Sequence, residues 1–305
     1  MRGKNIIVTG GSSGIGLATA ELLIKKGAGS IAIIARNQEL LDKAKAQLEQ
    51  LAAHSKNATT TAVYAYSADV SNEAAMNAAV EQYVKSVGTI DAVIASAGVT
   101  NPDYFENLPV SEFERLMRIN YIGAVVTTKA VVPYMKKQAL GGRLIFISSM
   151  AGLAGIFGYS AYSPTKYAIR GFAEVVAMEL KPYKIYVSVS NPPDVDTPMY
   201  AQENKTKPLE CKLISEGTGV FPAERLAHDI VKGLEKYRFF IQTGFDGFML
   251  GLLTAGFNPS ANLFTAVMEI LFMSPMRLVA IVTRFSYNQI VSKVRAERAI
   301  KGKSS

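Results

Sequence analysis

Ser148-Ser149-Met-Ala-Gly-Leu-Ala-Gly-Ile-Phe-Gly-Tyr-Ser-Ala-Tyr162-Ser-Pro-Thr-Lys166 is the stretch on which the reading of this chain turns. Tyr162 and Lys166 stand one helical turn apart, so a helix here points both side chains from one face. The glycines and small residues before Tyr162 suit a loop. Before them, Arg143-Leu-Ile-Phe-Ile147 is an apolar run bounded by Gly141-Gly142, the pattern of a buried strand. Strand end, loop and helix start thereby gather Ser149, Tyr162 and Lys166. A phenol, with an ordinary pKa near ~10, releases its proton poorly at neutral pH. An ammonium beside it favours the phenolate, and a serine hydroxyl can hold a carbonyl oxygen against it. The three types together suit proton delivery to a carbonyl becoming an alcohol. A Tyr-x-x-x-Lys pair alone is an ordinary helix face; the upstream serine and a glycine loop near the N-terminus give it meaning.

That loop is Gly10-Gly-Ser12-Ser13-Gly14-Ile15-Gly16. It follows the short apolar strand Asn5-Ile-Ile-Val-Thr9 and precedes Leu17–Lys26, which has helical apolar spacing. Strand, glycine loop and helix form the context that a dinucleotide site requires. Gly10 lets the chain turn, Gly14 lets backbone approach phosphate, and Gly16 lets the helix pack on the strand. The helix N-terminus then offers free N–H groups to a pyrophosphate. The spacing, Gly-x-x-x-Gly-x-Gly, is a variant of the usual fingerprint.

Further strands are expected at Ser30–Ala35, Thr61–Ser67, Ala92–Ala95 and Tyr186–Ser190, and helices at Gln38–Leu51, Asn72–Val87, Ser111–Lys137 and from Tyr162 to about Leu180. Six strands alternating with helices predict a doubly wound parallel sheet. Ligands on such sheets bind at the carboxyl ends of the strands. No acid follows Ser30–Ala35 to take a ribose hydroxyl; Arg36 stands there and can hold a 2′-phosphate, which argues for NADPH. Asp69, beside Val70, can accept from an adenine amino group or cap the next helix, for which Ser71 is an equal candidate. Ser96-Ala97-Gly98 are small enough for a cofactor to lie close. Asn120 sits inside an apolar helical run and needs partners for its amide, for which a local bend with a bound water is one solution.

The chain has 305 residues, enough to bury a large core as one domain with an appendage. One cysteine, Cys211, excludes an internal disulfide and suits a reducing compartment. With two histidines, His54 and His228, a His/Cys zinc site is not expected. No apolar stretch precedes the first strand, so no signal peptide is expected. The net charge of +8 is concentrated late: Arg284, Lys293, Arg295, Arg298, Lys301 and Lys303 face the single acid Glu297. No nucleic-acid motif accompanies them, and an anionic membrane surface is the better partner. Phe248–Met268 carries no charge, but Asn258-Pro-Ser-Ala-Asn262 breaks it, and Arg277 and Arg284 cut the apolar stretches that follow. A hairpin or interfacial insertion is the expectation, ahead of a span through Phe248–Met268 or a lipid-tail pocket in a soluble protein.

Gly10-x-x-x-Gly14-x-Gly16, Asp69, Asn120, Ser149 and Tyr162-x-x-x-Lys166 together resemble the short-chain dehydrogenase/reductase family, over residues 4 to about 243. The resemblance implies a Rossmann-type fold, with nicotinamide-nucleotide contacts from Gly10, Ser12, Ser13, Gly14, Ile15, Gly16, Arg36, Asp69, Val70, Ala97, Gly98, Tyr162, Lys166, Val195 and Thr197. It implies Tyr162 as proton donor, Lys166 as the residue that lowers its pKa and holds the ribose, Ser149 as carbonyl orienter with Ser148 as the adjacent candidate, and Asn120 as relay anchor. Two departures stand out: Ala95-Ser-Ala-Gly98 replaces Asn-Asn-Ala-Gly, and Asn191-Pro-Pro-Asp-Val-Asp-Thr-Pro198 replaces Pro-Gly. That second segment, with Glu203–Glu210 and Leu213–Glu216, is similar to the branch of the family that reduces long-chain sphingoid ketones. This likeness implies a sphingoid ketone as substrate, at the cytosolic face of the endoplasmic reticulum membrane. It divides the chain into a catalytic domain at 1–243, with a substrate loop at 192–220, and an apolar, basic-tailed helical extension at 244–305 for membrane association. Asp194 or Glu216 are candidates to meet the substrate ammonium. The open alternatives are a reductase of a steroid, retinoid or acyl ketone, and a non-catalytic NADPH-binding membrane scaffold. The family often pairs through its two long helices, here near 111–137 and 162–180, although the sequence alone does not demand a homodimer.

Overall fold

The structure is a computed structural model that describes residues 1–55, 61–216, 219–256 and 262–301. In chain order the first half runs β1 (Asn5–Thr9), α1 (Gly14–Lys25), β2 (Ser30–Ala35), α2 (Gln38–Ala53), β3 (Ala62–Ser67), α3 (Glu73–Val87), β4 (Ala92–Ala95), α4 (Val110–Met117), α5 (Gly123–Met135) and β5 (Gly142–Ile147). The second half runs α6 (Ser163–Leu180), β6 (Ile185–Asn191), β7 (Val195–Asp196), α7 (Pro198–Thr206), α8 (Leu209–Ser215), β8 (Phe221–Pro222), α9 (Ala223–Glu235), β9 (Phe240–Gln242), α10 (Gly244–Leu253) and α11 (Leu263–Lys301).

Seven strands form one sheet in the order β3-β2-β1-β4-β5-β6-β9, all parallel. Ile and Val runs suit strands buried on both faces. Alternate residues serve opposite layers: Ile7, Ile34, Val93 and Phe146 pack with Val80, Val131 and Ile169, while Ile6, Val8, Ile33 and Ile145 pack with Leu23, Leu41 and Val231. Strand order reverses between β1 and β4, which opens the crevice at their carboxyl ends. The expected doubly wound fold is therefore present, with β9 as a seventh strand paired to β6 from Val189↔Phe240 to Asn191↔Gln242. Three residues are too short for a periodic signal.

Two expectations are corrected. The run Ser111–Lys137 is not one α-helix: Arg118–Ile122 is a π turn between α4 and α5. It brings the Asn120 amide to Val99, whose N–H donates to Oδ1 at 2.8 Å and whose carbonyl accepts from Nδ2 at 2.9 Å. Nδ2 also donates to Thr165 Oγ1 at 3.0 Å, so protein groups partner this buried amide. Nor do the apolar stretches near the C-terminus form short separate pieces. α10 ends at Leu253, most of the Asn258–Asn262 break lies outside the described residues, and α11 runs unbroken past Arg277 and Arg284 for 39 residues. Arginine is a good helix former, so a charge interrupts hydropathy without interrupting the helix. No single described helix covers Phe248–Met268, since α10 ends at Leu253 and α11 begins at Leu263.

The Asn120–Val99 pair gives a prediction. Asn120→Ala leaves both backbone groups of Val99 unpaired and should lower unfolding free energy by about 2–4 kcal/mol in urea titrations. A loss under about 1 kcal/mol would show that the amide does not hold the turn.

Candidate active site

The nucleotide end of the site is built by the turn from β1 into α1. Gly10 has φ +66°, and a Cβ there would lie 2.8 Å from the Ala97 backbone nitrogen. A Cβ on Gly16 would lie 2.3 Å from the Gly10 carbonyl oxygen. The loop thus closes on itself and against the end of β4 only with glycines. Ser13 precedes α1 without a side-chain cap, which leaves first-turn N–H groups for an anion. Thr197 sits over this loop: a Cβ on Gly14 would be 3.1 Å from its methyl group. A cradle of this shape fits a nucleotide pyrophosphate.

Ser149, Tyr162 and Lys166 converge at the end of β5. Tyr162 is the cap residue of α6, with Lys166 one turn on, both buried. Lys166 Nζ donates to the Ile147 carbonyl at 2.9 Å and lies 5.4 Å from the centroid of the Tyr162 ring. The two serines part company. Ser148 is buried and donates to the Lys166 carbonyl at 3.0 Å, a tie between strand and helix. Ser149 accepts from the Ala151 N–H at 3.1 Å and lies near enough to Tyr162 to lower the phenol's pKa.

Burial pushes the Tyr162 phenol up from its ordinary value, and the Glu203 and Asp194 carboxylates add to this; the nearby Ser149 hydroxyl opposes it. Burial pulls Lys166 itself down to about 8, and it has no ion-pair partner among the described residues. The phenol is therefore a firm proton holder beside a lysine that is easily discharged.

One cavity of about 1140 Å³ joins these parts. Its lining includes Gly10, Ser12, Ser13, Gly14, Ile15, Arg36, Val70, Ala97, Gly98, Ser148, Ser149, Tyr162, Lys166, Val195 and Thr197. Gly16, Asp69 and Asn120 are not part of this lining. Asp69 Oδ1 accepts from the N–H and hydroxyl of Ser71, both at 2.8 Å, while Oδ2 stands 3.7 Å from Arg36. These partners hold its carboxyl below its usual range against the cost of burial. Neither Asp69 nor Ser71 caps α3; Asn72 does. Glu216 is not in the lining, whereas Asp194 and Glu203 are. Glu203 was missed because a charged residue in a helical segment reads as solvated. The far wall is mostly apolar, although Asp246 of α10 and Arg284 and Ser286 of α11 also line it: Met249, Leu250 and Leu253 come from α10, and Met276, Ala280, Thr283, Tyr287 and Ile290 from α11. The α11 set recurs every three or four residues, one helix face.

The lysine carries a prediction for stability against pH. Its folded value of about 8 lies below the ordinary ~10.4, so the unfolded chain holds the extra proton between those limits. Stability from this group therefore rises with pH across that window. The unfolding free energy of the wild type relative to Lys166→Met should grow by up to about 3 kcal/mol from pH 8 to 10.4, read by denaturant titration. A difference that does not change with pH would contradict it.

Comparison with known proteins follows this geometry. The sequence matches the short chain dehydrogenase family over residues 4–208. It is 40% identical over 299 residues to the 3-dehydrosphinganine reductase of Danio rerio, covering 98% of this chain and 88% of the relative. It is 41% identical over 298 residues to the 3-ketodihydrosphingosine reductase of Bos taurus, covering 97% and 88%. Among solved structures it resembles NAD+-bound xylitol dehydrogenase, with a TM-score of 0.69 and 28% identity over 76% of this chain and 92% of that one. With a glycine cradle, Ser149 beside the buried Tyr162 and Lys166, and these matches, the chain belongs to the short-chain dehydrogenase family and is an NAD(P)-dependent oxidoreductase.

Proposed function

We propose that this chain reduces the 3-keto group of 3-ketodihydrosphingosine to the alcohol with NADPH. The observation that carries the proposal is the continuity of the cavity, from the glycine cradle past Ser149 and Tyr162 to the apolar faces of α10 and α11. A long alkyl chain needs such a wall, since each buried CH2 contributes about 0.8 kcal/mol. The names of the full-length relatives agree with this substrate. A steroid, retinoid or acyl ketone would meet the same wall, so substrate comparison decides among them.

In this reading Gly10 to Gly16 and the α1 N-terminus bind the pyrophosphate, and Val195 and Thr197 face the nicotinamide end. Val70, Ala97 and Gly98 line its path, with Asp69 supporting the adenine side. Arg36, whose side chain is 56% exposed at the end of β2, holds the 2′-phosphate. The bound nucleotide supplies the hydride. Ser149 orients the ketone oxygen, and Tyr162 keeps its proton until negative charge develops there, then delivers it. Lys166, as a cation, steadies the phenolate that remains and reaches the ribose. Asn120 acts indirectly, by fixing Val99 and Thr165.

We extend the proposal to location and assembly. α11 is the described helix long and apolar enough to cross a membrane, and none of its apolar window is buried in the protein. Leu278, Ile281, Val282 and Phe285 are exposed while the neighbouring face lines the cavity. The proposal sets this helix in the endoplasmic reticulum membrane, with the catalytic domain on the cytosolic side and the exposed basic residues Lys293 and Arg295 at anionic headgroups. A homodimer through α5 and α6 belongs to the same reading; Tyr167, Val175 and Met178 are exposed on α6.

Purified protein in detergent should consume NADPH when given 3-ketodihydrosphingosine and prefer it to NADH. Arg36→Ala should raise KM for NADPH roughly tenfold or more, with a smaller change for NADH. Failure to oxidise NADPH with this ketone would refute the proposal, and equal use of both nucleotides would refute the role of Arg36.

A further inference from the structure

Beside the phenol lies a buried ionic cluster that proton delivery does not use. Glu203 on α7 and Lys207 just after it are both nearly inaccessible, at 8% and 4% exposure. Glu203 Oε1 accepts from the Tyr159 hydroxyl and lies 2.9 Å from Lys207 Nζ. Lys207 Nζ also lies 3.3 Å from Asp194 Oδ2. Both bonds to Glu203 fall on one oxygen; Oε2 has no hydrogen-bond partner among the described residues. Two carboxylates therefore face one ammonium.

The cluster is oriented. Asp194, Glu203 and Tyr159 line the cavity, and Lys207 does not. The Tyr159 ring packs on the Tyr162 ring with centroids 5.5 Å apart. The wall next to the phenol thus presents excess negative charge, with its neutralising cation set behind. Buried charge is costly unless it is paired and hydrogen-bonded, so an incomplete pairing facing a cavity marks a place for a cation. This charge also raises the Tyr162 phenol and opposes loss of its proton, a penalty that an entering cation would relieve.

We infer that Glu203, with Asp194, is the subsite for an ammonium on the carbon next to the reacting ketone, and that it selects α-amino ketones over plain ketones. The inference rests on the proposed substrate, in which the amino carbon is bonded to the keto carbon. With the ketone oxygen at Tyr162, the ammonium falls on the same stretch of wall. Its positive charge brings the two carboxylates and the lysine to balance. The alkyl chain then leaves in the other direction, along α10 and α11. Lys207 and Tyr159 are positioning residues that aim the free carboxylate oxygen.

The test compares kcat/KM for 3-ketodihydrosphingosine and for the analogue of equal length without the amine, in wild type, Glu203→Gln and Asp194→Asn. Wild type should favour the amine substrate, and Glu203→Gln should cut that preference at least about tenfold, mainly through KM. Asp194→Asn, which keeps the Glu203–Lys207 pair, should cut it in the same direction by less, and serves if Glu203→Gln does not fold. Equal losses on both substrates, or an unchanged preference in a folded variant, would overturn the inference and reduce the cluster to a structural tie. If the wild type reduces neither ketone, the proposed function fails instead; if it reduces both equally well, only the subsite fails.

Discussion

Lys166 binds the end of β5 to the start of α6 twice. Its ammonium donates to the Ile147 carbonyl at 2.9 Å, and its own carbonyl accepts from Ser148 at 3.0 Å. The chain between can pass only because Gly152 has no side chain: a Cβ there would lie 2.6 Å from Ser148 Oγ and 2.9 Å from the Lys166 carbonyl. This clasp fixes the phenol, the lysine and the second serine relative to one another. It also engages the Ser148 hydroxyl, while the Ser149 hydroxyl stands outside the clasp. The loop after β6 is drawn to the same place, where the Met150 N–H donates to the Pro192 carbonyl at 2.9 Å. The short β7–β8 pairing then holds the other end of that loop, from Val195↔Phe221 to Asp196↔Pro222.

The clasp is set in surroundings that work against charge. Lys166 is buried with carbonyl dipoles and no carboxylate, and Tyr162 is buried near carboxylates rather than beside a partnered cation. Burial alone disfavours both charged forms. Perturbed groups of this kind gather where chemistry needs them, at a cost in stability carried by the rest of the fold. Here the rest is a sheet whose Ile and Val side chains are almost wholly inaccessible on both faces.

Much of this was legible in the chain. Most of the longer strands stand out because buried parallel strands are apolar runs rich in β-branched residues, the more exposed β3 being the exception, and the glycine loop because Gly10, Gly14 and Gly16 fall where such a strand turns into a helix. Asn120 was legible as a polar residue in need of partners, but not as a π turn, since the partner groups are the backbone of Val99, far off in sequence. β9 escaped because three residues leave no period to read. The C-terminal helix escaped because Arg277 and Arg284 were read as ends, although they interrupt hydropathy and not helix formation. Glu203 escaped because burial of a charge depends on Lys207 and Tyr159 closing around it, which only tertiary structure reveals.

The same cavity meets a nucleotide cradle at one end and a membrane-suited helix at the other, with the phenol between them. The account stands or falls on that phenol as the proton source. The direct measurement is Tyr162→Phe, assayed in parallel for ketone reduction and for NADPH binding by fluorescence titration. The account predicts turnover lowered by at least about 10²-fold with nucleotide affinity nearly unchanged. Turnover close to wild type in a variant that binds NADPH would contradict it.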